Sequence, residues 1–116
     1  MVRAYVVIAN KSIITQRVLE IALEHQRRGA DISKIVTVAD TMEQQIENFR
    51  IVNLLKENPN IPFLFLSVGE CHILRRTGGE LVSCMYMCVN EYDELSAPQQ
   101  LLLKNLKAIG DNMQEV

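Results

Sequence analysis

Cys71-His72, followed by Arg75 and Arg76, is the one cluster of reactive residue types in the chain. A thiolate beside cations at a strand end can act as a nucleophile. The spacing does not build the phosphate-binding loop of a cysteine phosphatase, because Arg76 falls five residues after Cys71 and no glycine-rich run lies between them. Adjacent residues of an extended strand also point to opposite faces, so Cys71 and His72 do not pair. The cluster reads first as strand residues near a turn. A small cysteine-dependent enzyme using Cys71, His72 and Arg75 stays as the alternative.

Other chemistries find less. His25, His72, Cys71, Cys84 and Cys88 offer no CxxC or HxxxH spacing, so no metal is expected. Cys84 and Cys88 fall at even positions of one strand and read as a core face. A dinucleotide site needs a glycine-rich first strand-to-helix joint, and here that joint is Ala9-Asn10-Lys11-Ser12, so no nucleotide cofactor is expected either. Lys11 and Ser12 at a helix N-terminus leave room for a lone phosphate. Arg27-Arg28 and Arg75-Arg76 are basic pairs, but the aromatic residues that would stack bases read as buried, apart from Tyr92. Ile51-Val52-Asn53-Leu54-Leu55 has the look of a receptor-binding leucine motif and reads as core packing.

Periodicity divides the chain into elements that must position these residues. Tyr5 to Ala9 is an unbroken apolar run, the pattern of a strand covered on both faces. Ile13 to Arg28 turns helical, with Ile14, Val18, Ile21 and Ala22 on one stripe, Ser12 placed to cap it and Gly29 placed to end it. Lys34 to Ala39 is the second strand. Thr41 and Gln44 fit a capping box for a helix striped by Met42, Ile46, Phe49, Val52 and Leu55 and stopped at Asn58-Pro59. Phe63 to Val68 is the third strand, with Gly69 permitting a bend and Glu70 to Leu74 continuing beyond it. Arg75 to Gly79 reads as a hairpin turn into a fourth strand, Leu81 to Val89. Ser96-Ala97-Pro98-Gln99 opens a last helix with Leu102, Leu106, Ile109 and Met113 on its stripe.

The order βαβαββα implies a three-layer α/β domain over residues 1–116, with a mixed sheet of three parallel strands and one antiparallel strand, and helices on both faces. With strand order two-one-three-four, the crevice for a ligand lies between the first and third strands. Asn10, Lys11, Gly69 and Glu70 would line it, and Arg75 and Arg76 would mark the hairpin tip as a second binding edge.

Several joints resemble those of the anticodon-binding domain of class II aminoacyl-tRNA synthetases and its stand-alone relatives, such as the domain of nuclear receptor coactivator five. Tyr5 to Ala9 leads to a helix ending Gln26-Arg27-Arg28-Gly29-Ala30, and Asn60-Ile61-Pro62-Phe63 enters the third strand through an apolar-Pro-Phe step. Gly69-Glu70, the glycine-containing turn Arg75 to Glu80 and a leucine-rich final helix complete the pattern. The resemblance implies a non-catalytic module that binds RNA or protein.

Composition bounds these readings. The chain has 116 residues, 48% hydrophobic and 22% charged, enough for one core without disulfides or metal. Twelve basic and fourteen acidic residues give a net charge of −2, which favours a protein partner over RNA. Three cysteines read as reduced thiols of an intracellular protein, cytoplasmic or nuclear. No apolar run is long enough for a membrane span, and Met1-Val2-Arg3 does not open a signal peptide. Leu101 and Leu103 lie off the stripe of the last helix, so a homodimer or a partner helix is expected there.

Overall fold

The computed structural model describes residues 1–71, 73–75, 77, 88–96 and 100–112. Strand β1 (Ala4–Ile8), helix α1 (Thr15–Arg27), strand β2 (Ile32–Val38), helix α2 (Met42–Leu55) and strand β3 (Phe63–Val68) alternate without interruption. Two short strands, β4 (Cys88–Val89) and β5 (Leu101–Leu102), and helix α3 (Leu103–Asn112) follow.

β1, β2 and β3 form one parallel sheet in that order, with Val7 opposite Ile35 and Ile35 opposite Phe65. The expected order, with the first strand between the second and third, is therefore corrected. Right-handed crossovers that advance one strand at a time in one direction deliver their helices to the same face. α1 and α2 pack on each other and together on one side of the sheet, against the expectation of helices on both faces. Their shared core joins Val18, Ile21 and Ala22 of α1, Ile51, Val52 and Leu55 of α2, and Ile35 and Phe65 of the strands. Ile51, Val52 and Leu55 thus belong to the core, as the packing reading of that leucine-rich segment expects.

Local signals hold unevenly. The Thr41 hydroxyl accepts from the Gln44 backbone N–H at 3.2 Å, as a capping box requires. The Gln44 side chain reaches back one residue further than expected and accepts from the Asp40 N–H at 2.8 Å. In α1, Ile14 takes the N-cap position with no side-chain bond and stays exposed, so Ser12 is not the cap. The buried stripe of α2 is Asn48, Ile51, Val52 and Leu55, while Met42 and Ile46 face outward. Leu74, Arg75 and Thr77 are helical, and the Thr77 N–H donates to the Ile73 carbonyl, so the segment entering the expected hairpin turn coils instead. Most of that turn and of the fourth strand lies outside the described residues. The two residues of β4 pair parallel with β5. Leu101 and Leu102, expected inside the last helix, form that second strand.

His25 at the end of α1 is buried among polar partners. Its Nδ1 lies 2.8 Å from the Ser33 hydroxyl on β2, and the Tyr5 ring of β1 meets it edge-on. Burial, and then the charge of Arg28, hold its pKa below the usual histidine value, against a smaller opposing pull from Glu24. The unfolded chain therefore binds the proton more readily, and stability falls as pH drops below the ordinary histidine range. Urea unfolding of the wild type between pH 5 and pH 8 should show this loss on the acid side. His25→Asn should lack that component, and parallel pH profiles for the two proteins would assign the slope to other groups.

Candidate active site

Alternation along β2 sorts its side chains. Ser33, Ile35 and Thr37 serve the helix side: Ser33 meets His25, Ile35 joins the core, and the Thr37 hydroxyl accepts from the Ile13 N–H at 2.9 Å. Lys34 and Val36 therefore point to the opposite, inner face. There Val36 packs with Leu64 and Leu66 of β3, with Val68 alongside. Lys34 lies in register between Val6 of β1 and Leu64 of β3. A half-buried lysine in the middle of a strand, in a row of apolar residues, is the exception that asks for a chemical reason. The sequence reading passed over it as the first residue of a strand. The available signal was its position, with Ile32 before it and Val36 after it on the same face.

The C-terminal ends of the three strands lie along one edge of the sheet, since all three are parallel. Asn10 and Lys11 follow β1 there and are exposed. Gly69 and Glu70 follow β3. With β2 in the middle, the expected crevice between the first and third strands does not exist, and the neighbour of Gly69-Glu70 is Asp40 at the end of β2. The Asp40 carboxylate accepts from the Glu70 N–H at 3.1 Å, and the Cys71 N–H donates to the Ala39 carbonyl at 2.8 Å. The Ser67 hydroxyl donates to the Cys71 carbonyl, and the Ile73 N–H donates to the Gln45 side chain. These bonds tie the segment after β3 to the joint between β2 and α2. Gly69, with φ of +102°, makes the close approach.

Cys71 is half-buried in this segment, while His72 and Arg76 lie outside the described residues. Arg75 stands on the helical turn just beyond. Cys71 and Cys88 are free thiols, and Cys84 is outside the described residues. Among the described residues no group of three histidine, cysteine or acidic side chains could hold a metal ion. No helix among them is long and apolar enough to cross a membrane. Tyr92 is exposed, and its hydroxyl donates to the Gln100 carbonyl at 2.8 Å. Leu101 is buried in β5, and Leu103 is partly exposed.

A parallel sheet wound in chain order, with its helices on one side and an apolar inner face on the other, has the winding of a β/α barrel. The type I 3-dehydroquinase family model matches residues 7–115, and the chain belongs to that family. Solved structures agree on the fold. The 3-dehydroquinate dehydratase of Geobacillus kaustophilus superposes with a TM-score of 0.80 at 19% identity, over 96% of this chain and 42% of that one. A type I 3-dehydroquinate dehydratase from Clostridium difficile, covalently modified by comenic acid, gives 0.76 at 19% identity over 94% and 42%. The enzyme of Enterococcus faecalis gives 0.71 at 16% identity over 95% and 43%. This chain thus spans less than half the length of those structures. No curated protein sequence matches it.

These findings overturn the resemblance to an anticodon-binding domain. The joints that carried it, a glycine-ended helix and an apolar-Pro-Phe strand entry, are local solutions that any βαβ unit adopts. The non-catalytic RNA-binding or protein-binding module falls with it, because the family is one of enzymes. Of the two readings, the cysteine-dependent enzyme lies nearer in class to that family.

Proposed function

We propose that this chain forms a section of a β/α barrel that acts on 3-dehydroquinate, with the Lys34 amine as the group that meets the substrate. The observation that carries the reading is Lys34 in the apolar inner row between Val6 and Leu64. A dehydratase substrate of this name carries a ketone and loses water. A lysine amine adds to a ketone, water leaves, and a protonated imine forms. The imine draws electrons from the neighbouring carbon, which eases loss of a proton there and departure of hydroxide from the next carbon. Hydrolysis of the imine then returns the amine and releases the dehydrated product.

Active sites of β/α barrels lie at the C-terminal ends of the strands. Asn10, Lys11, Glu70 and Arg75 stand at that end, where the carboxylate and hydroxyls of the substrate would meet them. Gly69 and Asp40 hold the segment that presents Glu70. An intracellular setting, in which Cys71 and Cys88 remain thiols, goes with this reading.

Borohydride reduction in the presence of 3-dehydroquinate tests it. The expected result is an intact-mass increase equal to one reduced adduct, mapped to the peptide containing Lys34 and absent in Lys34→Met. No adduct on the wild type, or an adduct that persists in Lys34→Met, would overturn the assignment.

A further inference from the structure

Two hydroxyl side chains lie under the C-terminal rim of the sheet. Thr37 of β2 and Ser67 of β3 stand opposite each other in register, two residues beyond Ile35 and Phe65, and both are fully buried. A buried hydroxyl costs free energy unless it is hydrogen-bonded, and valine would fill the place of Thr37 with the same shape and no polar atom. Each hydroxyl here is bonded to main chain outside its own strand. The Thr37 hydroxyl accepts from the Ile13 N–H at 2.9 Å, in the joint after β1. The Ser67 hydroxyl donates to the Cys71 carbonyl at 3.3 Å, in the segment after β3.

Those two segments carry rim residues: Lys11 is two residues before Ile13, and Glu70 is one residue before Cys71. The segment with Glu70 is also held by Asp40 and by the Ala39 carbonyl. The joint with Lys11 has less support. Its last main-chain bond to β2 runs from the Ala9 N–H to the Val36 carbonyl at 2.9 Å, and Ile14 caps α1 without a side-chain bond. Between Ala9 and the first turn of α1, the bond to Thr37 fastens the joint to the strand that carries Lys34.

We propose that Thr37 is a positioning residue for Lys11. Thr37 faces the helices and touches no substrate, while Lys34, three residues earlier, faces the inner side. By holding the Ile13 N–H, the Thr37 hydroxyl fixes the main chain from Lys11 to Ile13 at the end of β2. The Lys11 ammonium then meets the substrate's carboxylate from a set point of the rim, and binding does not have to order the joint first. This rests on the reading above, in which Lys34 forms the imine and Lys11 meets the substrate.

Borohydride trapping over a range of 3-dehydroquinate concentrations, read by intact mass, tests the role. Thr37→Val should raise the half-saturating concentration about tenfold, with the same adduct at saturation, and Thr37→Ser should restore it to within about twofold. Lys11→Ala should raise it by a similar factor. Adding Thr37→Val to Lys11→Ala should raise it no further, because the two changes remove one interaction. A threonine that served packing alone would give equal penalties in both backgrounds. That result, or a Thr37→Val that saturates like the wild type, overturns the proposal and leaves Lys34 in its role. A wild type that forms no adduct overturns the catalytic reading and the proposal with it. Hydrogen exchange of the wild type guards against a variant that does not fold. The Ile13 amide should exchange at least about tenfold more slowly than the Lys11 amide, and equal rates overturn the hold of Thr37 on the joint.

Discussion

Ile51→Ala is expected to lower the free energy of unfolding by about 3 kcal/mol, measured by urea denaturation at neutral pH. Ile51 is fully buried in α2, in one cluster with Val18, Ile21 and Ala22 of α1 and Ile35 and Phe65 of the sheet. Truncation removes the transfer free energy of three carbons and leaves a space that two helices anchored to the same strands cannot easily close. Against a total stability of about 5–15 kcal/mol for a domain, that is a large fraction. Ile46→Ala, one and a half turns earlier on the same helix, is the matched control. Ile46 is 52% exposed, so little burial is lost, and alanine is the better helix former. The control should change stability by less than about 0.5 kcal/mol. A large loss at Ile46 with little at Ile51 would mean that α2 presents the stripe read from its spacing, Met42, Ile46, Phe49, Val52 and Leu55, rather than the one observed.

That contrast shows which parts of the fold the sequence makes legible. Strand and helix alternation up to Val68 follows from short-range patterns, and β3 has the span its apolar run indicates. The Thr41 cap is likewise a matter of residues three apart. The face of α2 is harder, because Asn48 sits in the core stripe where a hydrophobic pattern would not place it. The order of the strands is harder still. An unbroken apolar run such as Tyr5 to Ala9 says that both faces of a strand seek cover, and helices on both sides or the interior of a barrel satisfy it equally. The choice depends on which edge β3 joins, and no local pattern records that. The expected adjacency of the first and third strands, on which the crevice was built, fails for the same reason, since it followed from strand order alone. Lys34, proposed above as the group that meets the substrate, escapes a search for clustered chemistry because it is a single side chain whose register neighbours, Val6 and Leu64, are apolar. Its signal was a charge at a position where Ile32 and Val36 mark an apolar face.

Gly69→Ala should be more damaging than Gly29→Ala, although both glycines have positive φ. At Gly29, φ is +87° and an added Cβ would meet nothing within 4 Å. Alanine there bears only the cost of the left-handed conformation, about 1 kcal/mol. At Gly69, φ is +102°, and an added Cβ would lie 2.5 Å from the Asp40 Oδ1, 2.9 Å from the Ala39 carbonyl oxygen and 3.2 Å from a Val38 methyl. The carboxylate can swing away, but it then releases the Glu70 N–H. The Ala39 oxygen is main chain and accepts from the Cys71 N–H, so it can yield only if the segment after β3 moves off the end of β2. Strain and displacement together should cost about 3 kcal/mol. The double variant Asp40→Ala, Gly69→Ala separates the two contacts. Removing the carboxylate relieves the shortest one and leaves the carbonyl, so the double variant should remain well below Asp40→Ala alone in urea midpoint. If it matches Asp40→Ala, the side chain was the whole obstacle, and the main-chain approach of Gly69 to Ala39 does not hold the segment that carries Glu70.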